Sequence, residues 1–327
     1  MLNLYPASAH NVYAGQALTF QPHVEAAAKA IHEATDGMGT NEKALIKTLG
    51  ELNAEDRYQL AACYKKLFNE SLKDVLHEET SGHFRKLLEV LSVPLPEAEA
   101  TIIREATKGS GTDEKLIFPV IVGRTNAEIN ILKKTYFDLY GADLAVTLNS
   151  ELGGDFRKVI TASLQGAVVD YNASFHTAEK AEEDADALYK AGQGRFGTDE
   201  ETIIKILATA PPQHIRNVNA VYSKKYNYTL IKAVEKEFTG DAERALLYLV
   251  RMVLEPLELL AEHFESTMKG FGTDEDGLSF AIVRYACVLA QIKEAYKKKY
   301  GKELRDRIHG EVSGDMRSLL LAVFDHL

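Results

Sequence analysis

The sequence lacks several features that would assign it to common functional classes. It has no Trp and only two Cys among 327 residues, Cys63 and Cys287. Two thiols do not make a disulfide framework, so we expect both to be small buried side chains in a reducing compartment. No run of about 18 apolar residues occurs, and no basic N-terminal region precedes an apolar stretch. We therefore expect an intracellular protein without a transmembrane helix or signal peptide.

An excess of positive charge is also missing. The chain has 38 Lys and Arg against 48 Asp and Glu, a formal net charge of −10. This charge argues against direct binding to nucleic acid or to an anionic membrane, although a bridging divalent cation would reverse the argument. We find no Walker loop, no nucleophile motif and no Cys/His metal spacing, so nothing in the sequence indicates an enzyme.

What the sequence does contain is a Gly-Thr motif that occurs four times, each time followed by a distant Glu. The spacing from Thr to Glu is 39 residues in the first three copies and 38 in the fourth. The Gly-Thr pairs are residues 39–40, 111–112, 197–198 and 272–273, and the acidic residues are Glu79, Glu151, Glu237 and Glu311.

Two interpretations of this motif differ in what they explain. A helix-loop-helix corner, in which Gly ends one helix and Thr caps the next, would account for a single copy. Four copies tied to a Glu favour a calcium site, because helix ends and glycine loops expose carbonyls and calcium takes six to eight oxygens. Three carbonyls and a bidentate Glu supply about five, which leaves about two positions for water or an external phosphate.

Apolar spacing predicts an all-α fold with five short helices in each repeat. An aromatic residue follows each of Tyr64, Tyr136, Tyr222 and Tyr296 by four positions, and apolar residues follow by eight and twelve. These spacings put the side chains on one helical face. For the first repeat we predict helices at about residues 23–34, 41–51, 53–68, 71–77 and 82–91, after which Pro94 and Pro96 close the repeat. Pro119 is expected to kink or split a helix that Thr112 would cap.

The spacing between repeats is uneven. Consecutive motif threonines are separated by 72, 86 and 75 residues. The longest interval predicts a linker at about residues 170–183, and it suggests two pairs of repeats joined by that connector. We expect the acidic run at residues 182–184 to be a solvated helix start.

Four repeats of about seventy residues with this motif set resemble the annexin family over nearly the whole chain. The resemblance implies a slightly curved all-α disc with calcium loops on its convex face. It implies calcium-dependent binding to acidic phospholipid by a cytoplasmic protein that becomes peripheral on membranes when calcium rises. The predicted divisions are a tail at residues 1–20, repeats at 21–94 and 95–169, a linker with the third repeat at 170–254, and the fourth repeat at 255–327.

The resemblance also implies the Ca²⁺ ligands, which are loop carbonyls and one carboxylate in each repeat. The third loop is longer and resembles a variant of the family pattern. The implied ligands are Thr35, Gly37, Gly39 and Glu79; Thr107, Gly109, Gly111 and Glu151; Gly192, Arg195, Gly197 and Glu237; and Met268, Gly270, Gly272 and Glu311.

Membrane contact is expected at the loop tips Met38, Phe196 and Phe271. We expect calcium to swing Phe196 outward into the lipid interface. Asp36 stands where the family often has a cation, and Ser110 replaces an apolar loop tip. The residues Glu42, Glu114, Glu200 and Glu275 resemble secondary calcium ligands of the family, but favourable charges at helix starts are the preferred interpretation.

Other functions remain open. A calcium-gated ion pathway has been proposed for some annexins, and Arg124 and Arg284 match basic positions near such a path. We prefer salt bridges between repeats for both. Peroxidase or nucleotide hydrolysis is a weaker alternative, and the tail is a possible contact for a protein partner.

Overall fold

The fold follows the predicted helical pattern. The computed structural model describes residues 1–109 and 111–327, and within these ranges the secondary structure consists of 21 α-helices and one 3-10 turn, without strands. Ser110, predicted to be a polar loop tip, lies outside the described residues. The all-α prediction is therefore confirmed for the described part of the chain.

The first repeat contains the five helices expected from its spacing. Each predicted end lies within two residues of the observed one, because polar caps and apolar periodicity mark both ends of a helix. A short helix in the tail, α1 (Ala7–Tyr13), comes before them. The five helices are α2 (Pro22–Thr35), α3 (Glu42–Gly50), α4 (Ala54–Phe68), α5 (Leu72–Glu79) and α6 (Gly82–Leu91).

The remaining repeats have the same helix order. The second comprises α7 (Leu95–Ala106), α8 (Glu114–Ile121), α9 (Asn126–Tyr140), α10 (Leu144–Glu151) and α11 (Gly154–Leu164). The third comprises α12 (Ala178–Ala191), α13 (Glu200–Thr209), α14 (Pro212–Tyr226), α15 (Leu230–Glu237) and α16 (Gly240–Leu254). The fourth comprises α17 (Pro256–Met268), α18 (Glu275–Arg284), a 3-10 turn (Ala286–Val288), α19 (Leu289–Tyr300), α20 (Leu304–Glu311) and α21 (Gly314–His326).

The structure corrects the expectation about Pro96 and decides between the two alternatives for Pro119. Pro96 does not close the first repeat, because it lies in the first turn of α7, where its missing N–H has no intrahelical acceptor to lose. Pro119 does not split its helix either. It lies inside α8, which continues to Ile121, and the helix is capped by Asp113 rather than Thr112.

Four buried tyrosines form the centres of the repeats. Tyr64, Tyr136, Tyr222 and Tyr296 are each at most 1% exposed. Each packs against the aromatic ring four residues later, at centroid distances of 4.7–5.0 Å. Burial raises the pKa of the Tyr64 hydroxyl above its usual range, which keeps it protonated. The tyrosine periodicity therefore identifies core positions, as predicted.

The chain divides into two compact units, and this division contradicts the expected pairing. One unit contains residues 1–2 and 99–256, hence repeats two and three, while the other contains residues 3–98 and 257–327, hence repeats one and four. The connection between α11 and α12, residues 165–177 in place of the predicted linker at 170–183, lies inside the first unit. Its Val168 exchanges hydrogen bonds with the side chain of Asn126, and Val169 donates to the carbonyl of Thr209. The linker thus connects repeats that pack together.

The linker ends earlier than predicted. Thr177 caps α12, so the run at residues 182–184 lies within that helix rather than at its start. Glu182 pairs with Lys225 at 2.9 Å, and Asp184 accepts from His214 at 2.8 Å. These side chains attach α12 to α14.

Within the second unit, helices α3 and α21 join repeats one and four. Gly50 lies against Ala322, so closely that a Cβ added at Gly50 would come within 2.5 Å of the Ala322 Cβ. The first unit uses helices α11, α13 and α16 in the equivalent place.

The N-terminal tail packs against the first repeat, and one of the two cysteines differs from expectation. The tail is partly ordered, because Leu4, Tyr5 and Ala9 are buried and the backbone N–H of Ser8 donates to Glu55 at 3.1 Å.

Cys63 is buried as expected, but the expectation for Cys287 was wrong. Cys287 is exposed, in the 3-10 turn that interrupts the helical pattern of repeat four.

Arg124 forms a buried ion-pair network. Its guanidinium contacts Glu99 at 3.1 Å and Glu128 at 3.3 Å, and all three side chains are at most 2% exposed. All three residues belong to repeat two, so the pairs lie within one repeat rather than between repeats. Arg284 is also buried, with its guanidinium 5.3 Å from the centroid of the Tyr285 ring.

In the described part of the chain, no helix combines the length and the apolar character needed to cross a bilayer.

We predict that Glu99→Ala lowers the free energy of unfolding by about 3 kcal/mol, because it removes one partner of a buried pair. Urea unfolding followed by circular dichroism measures the loss. Glu105→Ala, an exposed residue of the same helix, serves as the control and should change stability by less than about 0.5 kcal/mol. Equal stability of the two variants would contradict the assigned role of the network.

Candidate metal centres

Each Gly-Thr loop is closed by one recurring backbone hydrogen bond. The N–H of the residue after Thr donates to a carbonyl in the last turn of the preceding helix. The bonds are Asn41 to Ala34 (2.8 Å), Asp113 to Ala106 (2.9 Å), Asp199 to Ala191 (2.7 Å) and Asp274 to Thr267 (2.8 Å). The carbonyls predicted as first ligands in repeats one, two and four, those of Thr35, Thr107 and Met268, belong to the very next residues.

The motif threonines do not cap helices, so this part of the helix-corner interpretation was wrong. The caps are the residues that follow them, Asn41, Asp113, Asp199 and Asp274, whose side chains accept backbone N–H groups of the next helix. An Asn or Asp side chain reaches these donors as well as Thr does. The threonine hydroxyls are thereby left for another partner.

That partner is the distant Glu. Thr40 Oγ1 donates to Glu79 Oε2 at 2.8 Å, Thr198 to Glu237 at 2.6 Å, and Thr273 to Glu311 at 2.7 Å. These three carboxylates are partly buried. The structure therefore brings each of them to the loop with which the sequence associates it.

The loops need glycine for their backbone. Gly37 and Gly39 have φ of +105° and +91°, and Gly270 and Gly272 have +115° and +93°. Side chains other than glycine rarely adopt these angles. Alternating left-handed residues let the chain reverse direction between two helices within a few residues.

Repeat two is assembled differently. Glu151 is exposed, and the structure forms no hydrogen bond between Thr112 and Glu151, both of which are described residues. Gly109 and Gly111 have φ of +106° and +115°, as in the other loops. The backbone of this loop is therefore similar to that of the other loops, whereas its carboxylate is exposed and is not bonded to the motif threonine.

Repeat three has a neutral second partner for its carboxylate. Gln193 Nε2 donates to Glu237, and the backbone of Gly192 approaches so closely that an added Cβ would lie 2.9 Å from the carboxyl carbon of Glu237. Lys236 contacts the Gln193 amide oxygen at 3.4 Å. Gly192 therefore packs against the carboxylate, and a larger residue there would displace the Glu237 side chain.

Repeat four has a cationic second partner. The guanidinium of Arg307 donates to the Glu311 carboxylate and to the carbonyl of Met268, and its Nε lies 3.4 Å from Glu265. Burial opposes the charged form of Arg307, but hydrogen bonding and attraction from these carboxylates outweigh it and raise the pKa of Arg307. Met268 and Glu311 are both predicted ligands.

Three loop tips expose large apolar side chains. The relative exposures of Met38, Phe196 and Phe271 are 105%, 105% and 113%. Each of them lies on a different loop, and single exposed apolar side chains are common on protein surfaces. The expected outward swing of Phe196 was therefore unnecessary, because the ring already points away from the protein.

Loops of different repeats adjoin within each unit. In the unit formed by repeats one and four, His83 lies 3.1 Å from Asp276, and a cavity of about 310 Å³ is lined by Ser81, Glu275 and Glu311. In the other unit, α11, which follows Glu151, packs against α13, which follows the third loop.

The four secondary candidates share one position in the fold. Each is the first residue of a helix, where a negative charge interacts favourably with the helix dipole. They are Glu42, Glu114, Glu200 and Glu275. Their position matches the preferred interpretation as helix-start charges.

Comparison with known proteins identifies the family. The annexin family model matches four segments, residues 26–91, 98–162, 183–249 and 260–323. This chain belongs to the annexin family. Annexins are known for calcium-dependent phospholipid binding and are generally non-enzymatic. The curated relative Annexin A13 of mouse is 35% identical over 90% of this chain and 93% of its own length.

Solved annexin structures have the same fold. Annexin III matches with a TM-score of 0.87 at 30% identity, covering 94% of this chain and 96% of its own. A calcium-bound structure of annexin (Sm)1 matches with a TM-score of 0.80 at 26% identity, covering 94% and 93% respectively.

Sequence reasoning missed two kinds of residue at these sites. It treated the motif threonines as markers or caps, although their fixed spacing to Glu was a signal of direct contact. It also overlooked Arg307, which lies four positions before Glu311 and hence on the same helical face. That spacing alone could have revealed the pair.

We predict that Thr40→Val lowers the free energy of unfolding by about 1 kcal/mol, because it removes the hydroxyl that bonds both the carboxylate and the carbonyl of Glu79. Thr40→Ser keeps the hydroxyl and should retain most of that stability. Chemical denaturation of both variants measures the difference. If Val and Ser behave alike, the hydrogen bond does not stabilise the loop.

Proposed function

We propose that this annexin binds acidic phospholipid membranes reversibly through calcium held in its four loops. The observation that supports this most strongly is the threonine–glutamate hydrogen bond of repeats one, three and four, which joins a carboxylate to a glycine loop. Calcium prefers carboxylate and carbonyl oxygens. The chemistry of the donor set therefore fits the ion.

The residues proposed to hold calcium are the loop carbonyls and carboxylates named above. The adjacent helix end favours a cation, because its dipole places partial negative charge there. Calcium bound in this way supplies positive charge for a lipid phosphate, which a chain of net charge −10 otherwise lacks. The protein would supply some of the oxygen ligands of the ion and would leave its remaining coordination positions to a lipid phosphate.

The exposed loop tips supply a second attraction. Met38, Phe196 and Phe271 are located beside the proposed ions and have nothing apolar to pack against in the free protein. Transfer of a large apolar side chain from water to a lipid interface is favourable. We propose that these three side chains enter the interface when calcium bridges protein and phosphate.

The remaining roles are proposals of the same kind. We propose a cytoplasmic, non-enzymatic protein that becomes peripheral on membranes as calcium rises, and that meets protein partners through the exposed residues 11–17 of its tail. Arg124 forms buried ion pairs and Arg284 packs on Tyr285, which favours a structural role for both over an ion pathway.

We expect Glu→Gln at Glu79, Glu151, Glu237 and Glu311 together to abolish calcium-dependent binding while the helices remain. Each change removes one charge and a bidentate ligand. Co-sedimentation with phosphatidylserine-containing vesicles across calcium concentrations measures binding, and circular dichroism measures helicity.

The matched control changes the four helix-start residues Glu42, Glu114, Glu200 and Glu275 to Gln. It alters the net charge equally and leaves the proposed primary ligands intact, so most binding should persist. Calcium-dependent sedimentation of the first variant, with native helicity, would show that the ligand assignment is wrong.

We expect Phe196→Ser to raise the calcium needed for half-maximal vesicle binding about fivefold, because roughly 1 kcal/mol of partial ring burial is lost. Phe196→Trp in this Trp-free chain should show blue-shifted emission only when calcium and anionic vesicles are both present. An emission spectrum that vesicles leave unchanged would exclude insertion of this loop.

A further inference from the structure

Arg307 occupies the middle of the fourth loop site. Its three guanidinium nitrogens have three different partners: Nε meets Glu265 at 3.4 Å, Nη1 meets Glu311, and Nη2 meets the Met268 carbonyl. The planar guanidinium suits such divergent oxygen contacts. Arg307 is 24% exposed and the two carboxylates are 19% and 22% exposed, so solvent screens these contacts only in part.

Two of these three partners are proposed calcium ligands. Glu311 provides the carboxylate of site four, and Met268 provides its first carbonyl. The guanidinium binds oxygens that calcium would also use, and two positive charges at one site repel. Arg307 therefore competes with calcium for the Glu311 carboxylate and the Met268 carbonyl.

The equivalent positions of the other repeats carry no charge. Four residues before the motif Glu, repeat one has Val75, repeat two has Thr147 and repeat three has Ala233. The carboxylates of sites one and three also accept from threonine, so that contact is shared with site four. A cation at this position therefore occurs in repeat four and in none of the other three repeats.

Arg307 also lines a cavity next to the fourth loop site. An open cavity of about 490 Å³ is lined by Arg307 together with Gly301, Lys302, Asp306 and Gly310. The Glu265 carboxylate, which also accepts from Tyr296, contacts Nε of Arg307, whereas Glu311 contacts Nη1. The cavity therefore offers the side chain space next to the loop, lined by the carboxylates of Glu303 and Asp306 as well as by Lys297 and Lys302.

We propose that Arg307 is an internal cation that holds site four in a closed state at low calcium and is displaced when calcium binds. The inference rests on the proposed function, since it concerns regulation of one of its sites. Site four then requires more calcium than the same ligands would without Arg307. Its charge also keeps the Glu311 carboxylate and the loop ordered before calcium arrives.

The test isolates site four in the full-length chain. Glu→Gln at Glu79, Glu151 and Glu237 disables the other sites, and this background is combined with Arg307→Ala. Isothermal titration calorimetry measures calcium binding. We expect the half-saturating calcium concentration to fall about tenfold, equivalent to about 1.4 kcal/mol. Arg307→Gln keeps the chain length without the charge and should act in the same direction.

The control is Arg305→Ala in the same background. Arg305 lies on the same helix, carries the same charge and pairs with Asp325 at 2.6 Å, away from the loop. It should change calcium binding by less than about twofold, because its exposed charge is screened. An equal effect of both alanine variants would overturn the proposal, since net charge would then explain the result.

Thermal unfolding gives a second readout. Without calcium, Arg307→Ala should lower the unfolding temperature, because the Glu311 and Glu265 contacts are lost. With saturating calcium it should gain more stabilisation than the background, because tighter binding stabilises the native state more. A purely structural Arg307 predicts lower stability with unchanged or weaker calcium binding, and that result would overturn the proposal.

The reciprocal variant places the cation in another site. Val75→Arg in an otherwise unchanged chain should raise the calcium needed by site one, whereas Val75→Gln should not. If the unchanged chain binds vesicles with calcium but Arg307→Ala and Arg307→Gln leave site four unaffected, the inference about Arg307 alone fails. If the unchanged chain binds no calcium, the proposed function fails and the inference with it.

Discussion

The structure of every loop site depends on how the helix before the loop ends. The last turn of an α-helix leaves carbonyls without intrahelical partners. In each repeat the cap residue of the next helix donates its N–H back to one of these carbonyls, at 2.7–2.9 Å. This single bond fixes where the loop begins and ends. The next residue in each repeat is a proposed calcium ligand, and its carbonyl accepts from Arg195 in repeat three and from Arg307 in repeat four. Glycine at positive φ then completes the reversal.

The position of the helix cap also explains why Thr follows Gly in the motif. An Asn or Asp one position later caps the next helix, so the Thr hydroxyl does not need to do so. The hydroxyl instead holds a carboxylate that arrives from 38 or 39 residues away. A loop between two helices is thereby attached to the end of a third helix. The carboxylate ends the fourth helix of its repeat, so the second, third and fourth helices lie between the loop and the Glu and set their spacing.

Much of this organisation was predictable because it is local. The tyrosine periodicity and the polar caps predicted each helix of the first repeat within two residues. The pairing of repeats was not local, and the prediction failed. A long linker before α12 suggested separation, yet Asn126 and Thr209 bind that linker within one unit. The length of a linker limits how far apart two repeats can lie. Close packing between helices, as between Gly50 and Ala322, decides which repeats pack together.

The site residues divide in the same way. Loop glycines and distant glutamates were apparent because they recur four times, whereas the residues that differ between repeats were not. Arg307 and Gln193 each occur once, and each bonds the motif carboxylate of its own repeat. Loops with a similar backbone thus occur with different second partners for the motif carboxylate, a charged arginine in one repeat and a neutral glutamine in another. Because these partners lie outside the motif, four loops with the same Gly-Thr sequence present chemically unequal carboxylates to whatever binds there.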